Sequence, residues 1–327
     1  MRRRDFVRGI AASAAYPLAV RAQQSSSPVV AFVNGRSSEA SVAVVTAFRK
    51  GLGEAGFIEG HNVKVEYHWL EGQYDRLPAL TSDLIRQQVA VIAIPGSILA
   101  ALAVKAATAT IPIVFGVASD PVKLGLVTNL ARPDGNATGV NYFANETTAK
   151  RLRLLHDLVP KAIRIAVIVN PINVQATKST LEAVQESAGA LGFQIHILNA
   201  STVGEIDAAF DILTRERPDA LFVAPDAFLN TRRGQFATLT ARATLPATFD
   251  DNEDVEAGGL MSYGTDKADM SHQVGIYTGN ILKGAKPSEL PIVQSTKFLF
   301  AINMQTARAL GVVVPPDVLS IADEVIE

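Results

Sequence analysis

From residue 28 onwards, short β-branched runs alternate with amphipathic stretches, a pattern that predicts strands and helices in turn. The first run covers residues 28–34, and Ser37 or Ser38 then caps a helix that ends near Gly56. Further strands are predicted at residues 62–69, 89–94, 112–117, 137–142, 164–169, 193–198, 219–224, 248–249 and 260–263. Helices are predicted at residues 75–88, between 94 and 112, and at 147–158, 174–191, 203–216, 230–243 and 266–283.

Strands that alternate with helices of this length indicate right-handed βαβ units, and therefore parallel sheets with helices on both faces. The chain has 327 residues, of which 48% are hydrophobic, and this is enough for two cores. No long Gly/Ser-rich or Pro-rich linker separates the two blocks of elements. We therefore expect an α/β protein with two doubly wound parallel-sheet lobes that are joined by a hinge.

Small and polar residues follow the predicted strands, at the sheet edge where open parallel sheets bind ligands. The candidate binding residues are Asn34, Ser97, Asp120, Asn170, Asp226, Asp250 and Tyr263. Each of them is also a common turn or helix-cap residue. Helix N-termini after the strands suit a carboxylate, and an aspartate opposite suits an ammonium, so a zwitterion such as an amino acid fits. An aromatic carboxylate is the alternative ligand, whereas a single tryptophan argues against a sugar platform.

Two of these candidates define a specific hypothesis. Ser97 begins a helix after an apolar strand, so its hydroxyl and backbone N–H can take the ligand's carboxylate. Asp226 follows another apolar strand and is predicted to take the ammonium, with Asp250 as the alternative. The competing interpretation is that Asp226 only caps the helix that starts near Asn230.

The N-terminal residues resemble an export signal. RRRDFVR at residues 2–8 precedes a short apolar stretch at 10–18 and the small residues of AVRA at 19–22. The arginine pair fits the twin-arginine motif, with an ordinary secretory signal as the alternative. Cleavage near Ala22 would remove five basic residues and one acidic residue, leaving a net charge of about −6, which disfavours nucleic acid. Because the chain has no cysteine, we expect no lipid anchor and a free periplasmic protein.

Catalytic, cofactor and metal motifs have little support in the sequence. The glycine pattern GLGEAG at residues 51–56 follows a helical stretch, so it lacks the strand-to-helix context of a dinucleotide site. The five histidines show no recurring metal-ligand spacing, and no nucleophile–base pair is visible. We therefore expect no enzyme activity, no cofactor and no metal.

Several segments together resemble a family of ABC-importer substrate-binding proteins that includes tryptophan- and tyrosine-binding members. The C-terminal segments are TKFLFAINMQTARALG at 296–311, VPP at 314–316 and ADEVI at 322–326. The others are GFIEGHN at 56–62, EGQYDRLP at 71–78, SDPV at 119–122 and LARPDGNATG at 130–139.

The resemblance implies a type I periplasmic-binding-protein-like fold, a ligand in the cleft between the lobes, and an inner-membrane ABC permease as partner. By analogy, the first lobe comprises residues 28–142 plus 264–296, and the second comprises 143–263 plus 297–327. Crossing strands near Asn141, Tyr263 and residues 291–296 would form the hinge. A periplasmic sensing module for a membrane receptor has the same fold and is the alternative function.

Overall fold

Two β-sheets, each covered by helices, form the protein. The computed structural model describes residues 27–142 and 144–327, and only the backbone of residues 144–146. The predicted export signal lies outside the described residues. The strands in chain order are β1 (Val29–Asn34), β2 (Lys64–Trp69), β3 (Val91–Pro95), β4 (Ile113–Val117), β5 (Ala137–Asn141), β6 (Arg164–Val169), β7 (Gln194–Asn199), β8 (Ala220–Val223), β9 (Ala247–Phe249), β10 (Met261–Thr265), β11 (Val293–Gln294), β12 (Phe298–Asn303) and β13 (Glu324–Ile326).

Twelve α-helices alternate with these strands in the described part of the chain. They are α1 (Val42–Glu54), α2 (Leu77–Gln87), α3 (Ile98–Ala107), α4 (Ala144–Leu158), α5 (Val174–Leu191), α6 (Val203–Glu216), α7 (Ala227–Asn230), α8 (Arg233–Ala243), α9 (Asn252–Glu256), α10 (Lys267–Leu282), α11 (Met304–Leu310) and α12 (Pro316–Ser320). Short 3₁₀ turns occur at Glu39–Ser41, Tyr74–Arg76 and Pro287–Glu289.

The first sheet has the strand order β11-β5-β4-β3-β1-β2, and its strand pairs are parallel. Both of its faces are buried, as expected for a doubly wound sheet. Val30 and Phe32 of β1 pack on the face that α1 and α10 cover. Ala31 and Val33 point to the opposite face and pack with residues of α2 and α3. The near-continuous apolar strands of the sequence therefore serve two cores at once.

The second sheet has the order β13-β12-β10-β9-β8-β6-β7 and contains one antiparallel pair, β10 with β12. The sequence predicted parallel sheets and, after residue 263, only a crossing strand near residues 291–296, where β11 lies. The chain leaves this sheet at the end of β10, passes through α10 and β11 of the first sheet, and returns as β12. Because it returns where it left, with Phe298 opposite Thr265, β12 runs against β10. The predicted fold class, two mainly parallel α/β lobes, is confirmed.

Two local predictions have clear outcomes. The helix predicted at 230–243 is observed as α8, and an additional short helix, α7, precedes it and is separated from it by a turn at residues 231–232. The glycine pattern at 51–56 ends α1, and Gly56 follows in the left-handed region with φ of 84°. A Cβ on Gly51 would lie 2.0 Å from the His272 carbonyl oxygen, so this glycine lets α1 and α10 approach closely.

The chain passes between the sheets after β5, between β10 and α10, and between β11 and β12. These crossing segments are hydrogen-bonded to one another. Thr265 Oγ1 donates to the Tyr142 carbonyl at 2.9 Å, and the Ser295 N–H donates to the Asn141 carbonyl at 2.9 Å. Strand β10 continues to Thr265, slightly beyond the predicted crossing at 263–264. The carboxyl ends of the central strands of both sheets face the space beside these segments.

Candidate functional site

A cavity lies between the two sheets, at the carboxyl ends of their strands. Its empty space amounts to about 640 Å³, including open solvent at its mouth. Residues from both sheets and from the crossing segments form its walls. The polar and charged residues that line it are Asn34, Arg36, Tyr74, Ser97, Tyr142, Asn173, Asp226, Asn230, Asp250 and Lys267. Of the seven residues predicted from sequence, Asn34, Ser97, Asp226 and Asp250 therefore line the cavity.

On the wall of the first sheet, Asn34 ties two strand ends together. Its side-chain Nδ2 donates to the Pro95 carbonyl at 2.8 Å, and its Oδ1 accepts from the Arg36 N–H at 2.9 Å. These bonds hold the loop after β1 against the end of β3. Asn34 therefore shapes this wall, and Arg36 is placed to reach across the cavity.

Ser97 on the same wall is the N-cap of α3. Its Oγ accepts from the Ala100 N–H at 3.3 Å, and Gly96 before it has φ of 93°. Because Oγ acts as the acceptor in the cap, its own O–H remains available to donate into the cavity. The N–H groups of the first helical turn have no intrahelical acceptor. This wall thus offers hydrogen-bond donors at the positive end of a helix.

On the wall of the second sheet, Asp226 is the N-cap of the short helix α7. Its Oδ1 accepts from the N–H groups of Phe228 and Leu229 at 2.9 and 3.2 Å, and from Asn170 Nδ2 at 2.9 Å. Its Oδ2 accepts from Asn173 Nδ2 at 3.0 Å. Burial raises the pKa of Asp226, although these hydrogen bonds favour its ionised form. The capping interpretation of Asp226 therefore holds, for a helix that begins at Ala227.

The fully buried Arg151 of α4 supports this wall from behind. Its Nη2 donates to the carbonyl oxygens of Val223 and Thr248 at 2.6 and 3.0 Å, at the ends of β8 and β9. Its guanidinium carbon lies 3.9 Å from the centre of the Phe222 ring. Burial lowers the pKa of Arg151 to about 10. Arg151 thus fixes the two strand ends from which Asp226 and Asp250 project.

Charged residues meet where the two walls approach each other. Arg36, from the first sheet, forms an ion pair with Asp251, which follows β9 of the second. Lys267, at the start of α10, lies 2.9 Å from the carboxylate oxygens of both Asp250 and Asp251. Asn230 also donates to Asp250 at 3.2 Å. The first sheet and its helix α10 thus bind the second sheet through two cations and two carboxylates.

The pKa shifts of these groups show how strongly the charges are coupled. Burial alone would raise the pKa of Asp251, but the charges of Lys267 and Arg36 outweigh it and lower the pKa. Burial would also raise the pKa of Asp250, but the nearby positive charges, above all that of Lys267, outweigh it and lower the pKa. The neighbouring Asp254 has its pKa raised well above the usual range by burial and by the charges of Asp251 and Asp250. The ion pairs therefore stay charged at neutral pH.

Close contacts between small residues accompany the ion pairs. A Cβ built on Gly35, in the loop after β1, would lie 2.9 Å from the Ala227 Cβ of α7. Gly72, in the loop after β2, has φ of 77°, and a Cβ there would lie 3.1 Å from the Phe228 ring. Both loops belong to the first sheet and both partners to the second. The described conformation is therefore one in which the two lobes touch.

Three predicted residues lie outside the cavity lining. Asp120 is exposed and caps a turn, with Oδ1 accepting from the Val122 N–H at 2.8 Å. Tyr263 stacks on Phe298 at a ring distance of 5.9 Å. Asn170 lies behind Asp226 and orients its carboxylate. The carboxyl ends of the strands lie at the edge of the cavity, but the direction of the side chain at each end decides which residues line it.

The sequence interpretation missed six polar lining residues, namely Arg36, Tyr74, Tyr142, Asn173, Asn230 and Lys267. Arg36 and Asn173 lie two and three residues beyond the predicted strand-end positions Asn34 and Asn170. Lys267 lies directly after a crossing segment, a place where a charged residue can reach both lobes. A search that extended three residues past each strand end would have found Arg36 and Asn173.

Metal ligation is not indicated by the side chains of residues 27–142 and 147–327, because no group of three or more His, Asp or Glu residues among them could hold an ion. No helix within those ranges is long and apolar enough to cross a membrane.

The fold and the interlobe cavity define the class of type I periplasmic-binding-protein-like α/β proteins. Residues 26–326 match the model of the family described as ABC transporter substrate binding protein. The chain therefore belongs to the ABC transporter substrate-binding protein family.

Three comparisons show how similar the chain is to characterised relatives. A tyrosine-binding protein of Clostridioides difficile (strain R20291) is 26% identical over 266 residues, which cover 80% of this chain and 75% of that protein. An ABC domain in complex with L-Trp from Streptococcus pneumonia has a TM-score of 0.84 and 23% identity, covering 92% of this chain and 100% of that one. The ligand-free, open structure of a substrate binding protein with adhesive properties from Clostridium difficile has a TM-score of 0.65 and 25% identity, covering 91% and 99%.

Proposed function

We propose that this protein is the periplasmic receptor of an ABC importer and that it binds an amino acid in the cavity between its lobes. Donors on one wall, at Ser97 and the start of α3, face acceptors on the other wall, at Asp226. This complementarity to a zwitterion is the observation that carries the proposal. Family membership supports the importer role, with the inner-membrane permease as the partner.

The contacts of the two aspartates decide which one receives the ligand's ammonium. Asp250 already has Lys267 at 2.9 Å and Asn230 at 3.2 Å, so an ammonium there would have to displace a protein cation. Asp226 has no cationic side chain among its hydrogen-bond donors in the described residues. Its Oδ2 accepts from Asn173 alone. Asp226 is therefore the ammonium site, and Ser97 is the carboxylate site.

An aromatic side chain on the ligand is supported by the relatives, one described as tyrosine-binding and one solved with L-Trp. The cavity wall includes Tyr74, Met270 and Ala176, which offer apolar and aromatic contact beside the polar groups. L-tyrosine and L-tryptophan are therefore the first candidates to test.

Hinge closure around the ligand is supported by the contacts between the lobes. The ion pair of Arg36 with Asp251 and the contact of Gly35 with Ala227 exist only while the lobes touch. The higher TM-score to the structure with L-Trp than to the open one agrees with a closed conformation. A ligand that contacts both lobes favours that state over the open one.

A thermal-shift screen of the twenty amino acids and of aromatic carboxylates tests the ligand class. A ligand present at a hundredfold over its Kd adds about 2.7 kcal/mol of stability. An amino acid that raises the melting temperature supports the proposal. A screen in which only carboxylates without an ammonium are active would contradict the assignment of Asp226, and a screen without any active amino acid would contradict the ligand class.

Export is the remaining part of the proposal. The arginine-rich start and the small residues before Gln23 support cleavage near Ala22 and release into the periplasm without a lipid anchor. N-terminal sequencing of protein from the periplasmic fraction should begin after residue 22. Replacing Arg3 and Arg4 by Lys should block export if the twin-arginine route is used, and unchanged export would indicate the general secretory route.

A further inference from the structure

Asn173 occupies the N-cap position of the 18-residue helix α5, but its side chain does not cap the helix. Asparagine at this position usually accepts a hydrogen bond from the first helical turn through its side-chain oxygen. Here the side chain makes no such bond. Its Nδ2 donates instead to Asp226 Oδ2 at 3.0 Å. The side chain is thus directed away from its own helix and towards the cavity that it lines.

The orientation of the Asn173 amide follows from its partner. An ionised carboxylate can only accept hydrogen bonds, so the amide must present its NH₂ group to Asp226. Oδ1 therefore points away from Asp226. This oxygen is buried and has no hydrogen-bond partner among the described residues, and only 7% of Asn173 is exposed. A buried acceptor without a donor costs free energy, so this oxygen is a candidate to accept a hydrogen bond from a ligand.

Asp226 presents a matching oxygen. Its Oδ1 already accepts three hydrogen bonds, whereas, among the described residues, Oδ2 accepts only the one from Asn173. The carboxylate oxygen with spare capacity is therefore the one that lies beside the Asn173 amide. Asp226 and Asn173 both line the cavity, and Asp226 Oδ2 and Asn173 Oδ1 are their two acceptors with spare capacity.

We propose that Asn173 is a specificity-determining residue, and that its Oδ1 and Asp226 Oδ2 each accept one N–H of the ligand's ammonium. This inference rests on the proposed function, since it names a second contact for the same ligand group. Two acceptors require a cation with at least two N–H donors. The site therefore selects a primary ammonium over a trimethylammonium and over an acid that has no nitrogen.

The test uses the amino acid with the largest thermal shift, its deamino acid and its N,N,N-trimethyl derivative. For L-tryptophan these analogues are indole-3-propionate and N,N,N-trimethyl-L-tryptophan. Calorimetry on the wild-type protein should show a preference for the amino acid over both. In Asn173→Ala, affinity for the amino acid should fall about ten- to a hundredfold, while affinity for the deamino acid stays nearly constant.

Asn170→Ala is the matched control, because it removes another donor from Asp226 but leaves both cavity oxygens in place. Its loss of affinity should be smaller than that of Asn173→Ala. The melting temperature of unliganded Asn173→Ala should fall no further than that of Asn170→Ala, since each variant removes one hydrogen bond to Asp226 and the Asn173 side chain caps no helix.

Equal losses for the amino acid and its deamino acid in Asn173→Ala would overturn the inference and leave the proposed function standing. An unchanged affinity for the amino acid would do the same. If no amino acid binds the wild-type protein, the proposed function and this inference both fail.

Discussion

Arg36 and Asp251 form an ion pair between the two lobes: Arg36 follows β1 of the first sheet, and Asp251 follows β9 of the second. Both side chains are nearly buried, with 9% and 8% of their surfaces exposed. The charge on Asp251 raises the pKa of Arg36, although burial acts in the opposite direction. Since the pair joins the two lobes, it stabilises the conformation in which they touch.

Replacing Arg36 with Met should therefore open the unliganded protein. Small-angle scattering should give a larger radius of gyration for Arg36→Met than for wild type. Ligand affinity should fall about tenfold or more, because closure loses a charge-assisted contact of about 1.5–3 kcal/mol. Arg49→Met is the control, since its exposed ion pair with Glu59 lies within the first lobe. The same radius for wild type and Arg36→Met would contradict this role.

A larger side chain at Gly35 should prevent closure by steric contact. The Cβ of Gly35→Val would lie 2.9 Å from the Ala227 Cβ, and its branches would extend further. We expect loss of ligand binding, since the contact with Ala227 exists only when the lobes touch, whereas the other two atoms near this Cβ, Tyr74 Oη and Ser97 Oγ of the same lobe, lie at 3.4 and 3.5 Å. Gly53→Ala serves as control, because a Cβ there meets no atom within 4 Å. Ligand binding retained by Gly35→Val would exclude the described contact from the bound state.

Asp254 gives a prediction for the pH dependence of stability. Burial, followed by the charges of Asp251 and Asp250, raises its pKa in the folded state, whereas an unfolded aspartate has a pKa of about 3.9. Between these two pKa values the folded state binds more protons than the unfolded state, so stability falls as pH rises through this window.

Asp254→Asn cannot ionise and should escape that loss. Its melting temperature should exceed that of wild type at pH 7–8, by about 2–4 °C for each kcal/mol regained. The difference should shrink as the pH approaches 4, and melting curves from pH 4 to 8 measure it. A difference that is the same at every pH would show that Asp254 does not carry the raised pKa.

Asp226→Asn should lower both ligand affinity and unliganded stability. The sequence alone offered these as alternatives, a ligand contact or a helix cap. The carboxylate accepts four hydrogen bonds and caps α7, so the loss of an acceptor weakens the fold. We expect a tenfold to hundredfold loss of affinity, corresponding to about 1.5–3 kcal/mol, and a lower melting temperature. Calorimetry and thermal unfolding measure the two effects, and an unchanged affinity would exclude a direct contact with the ligand.

Much of the fold could be predicted because each strand of the sequence is a short apolar run between turn residues. Strand β6 and helices α5 and α6 have the predicted bounds. Strand β11 lies within the crossing strand expected near residues 291–296, whereas β13 carries too few residues for a period and β12 lies in a segment that the sequence interpretation treated only as a family signature. The antiparallel pairing of β12 depends on the path of the chain through the other lobe. A local sequence pattern cannot predict that path.

The sequence predicted several residues that line the cavity, but it did not predict which side chains contact one another there. Asn34, Ser97, Asp226 and Asp250 were found because they lie at strand ends. Arg151 could not be found, since a buried arginine on α4 has the same sequence signature as an exposed one. The free oxygen of Asn173 depends on the direction of its amide, which Asp226 sets through a contact 53 residues away in the chain.

A crystal structure of the protein with the amino acid that stabilises it most would test the central claim directly. We expect the ligand in the cavity between the lobes, with its carboxylate at Ser97 and the start of α3. Its ammonium should lie within hydrogen-bonding distance of Asp226 Oδ2 and Asn173 Oδ1, with Arg36 still paired to Asp251. A ligand bound elsewhere, or one bound with its ammonium away from Asp226, would contradict the proposed site.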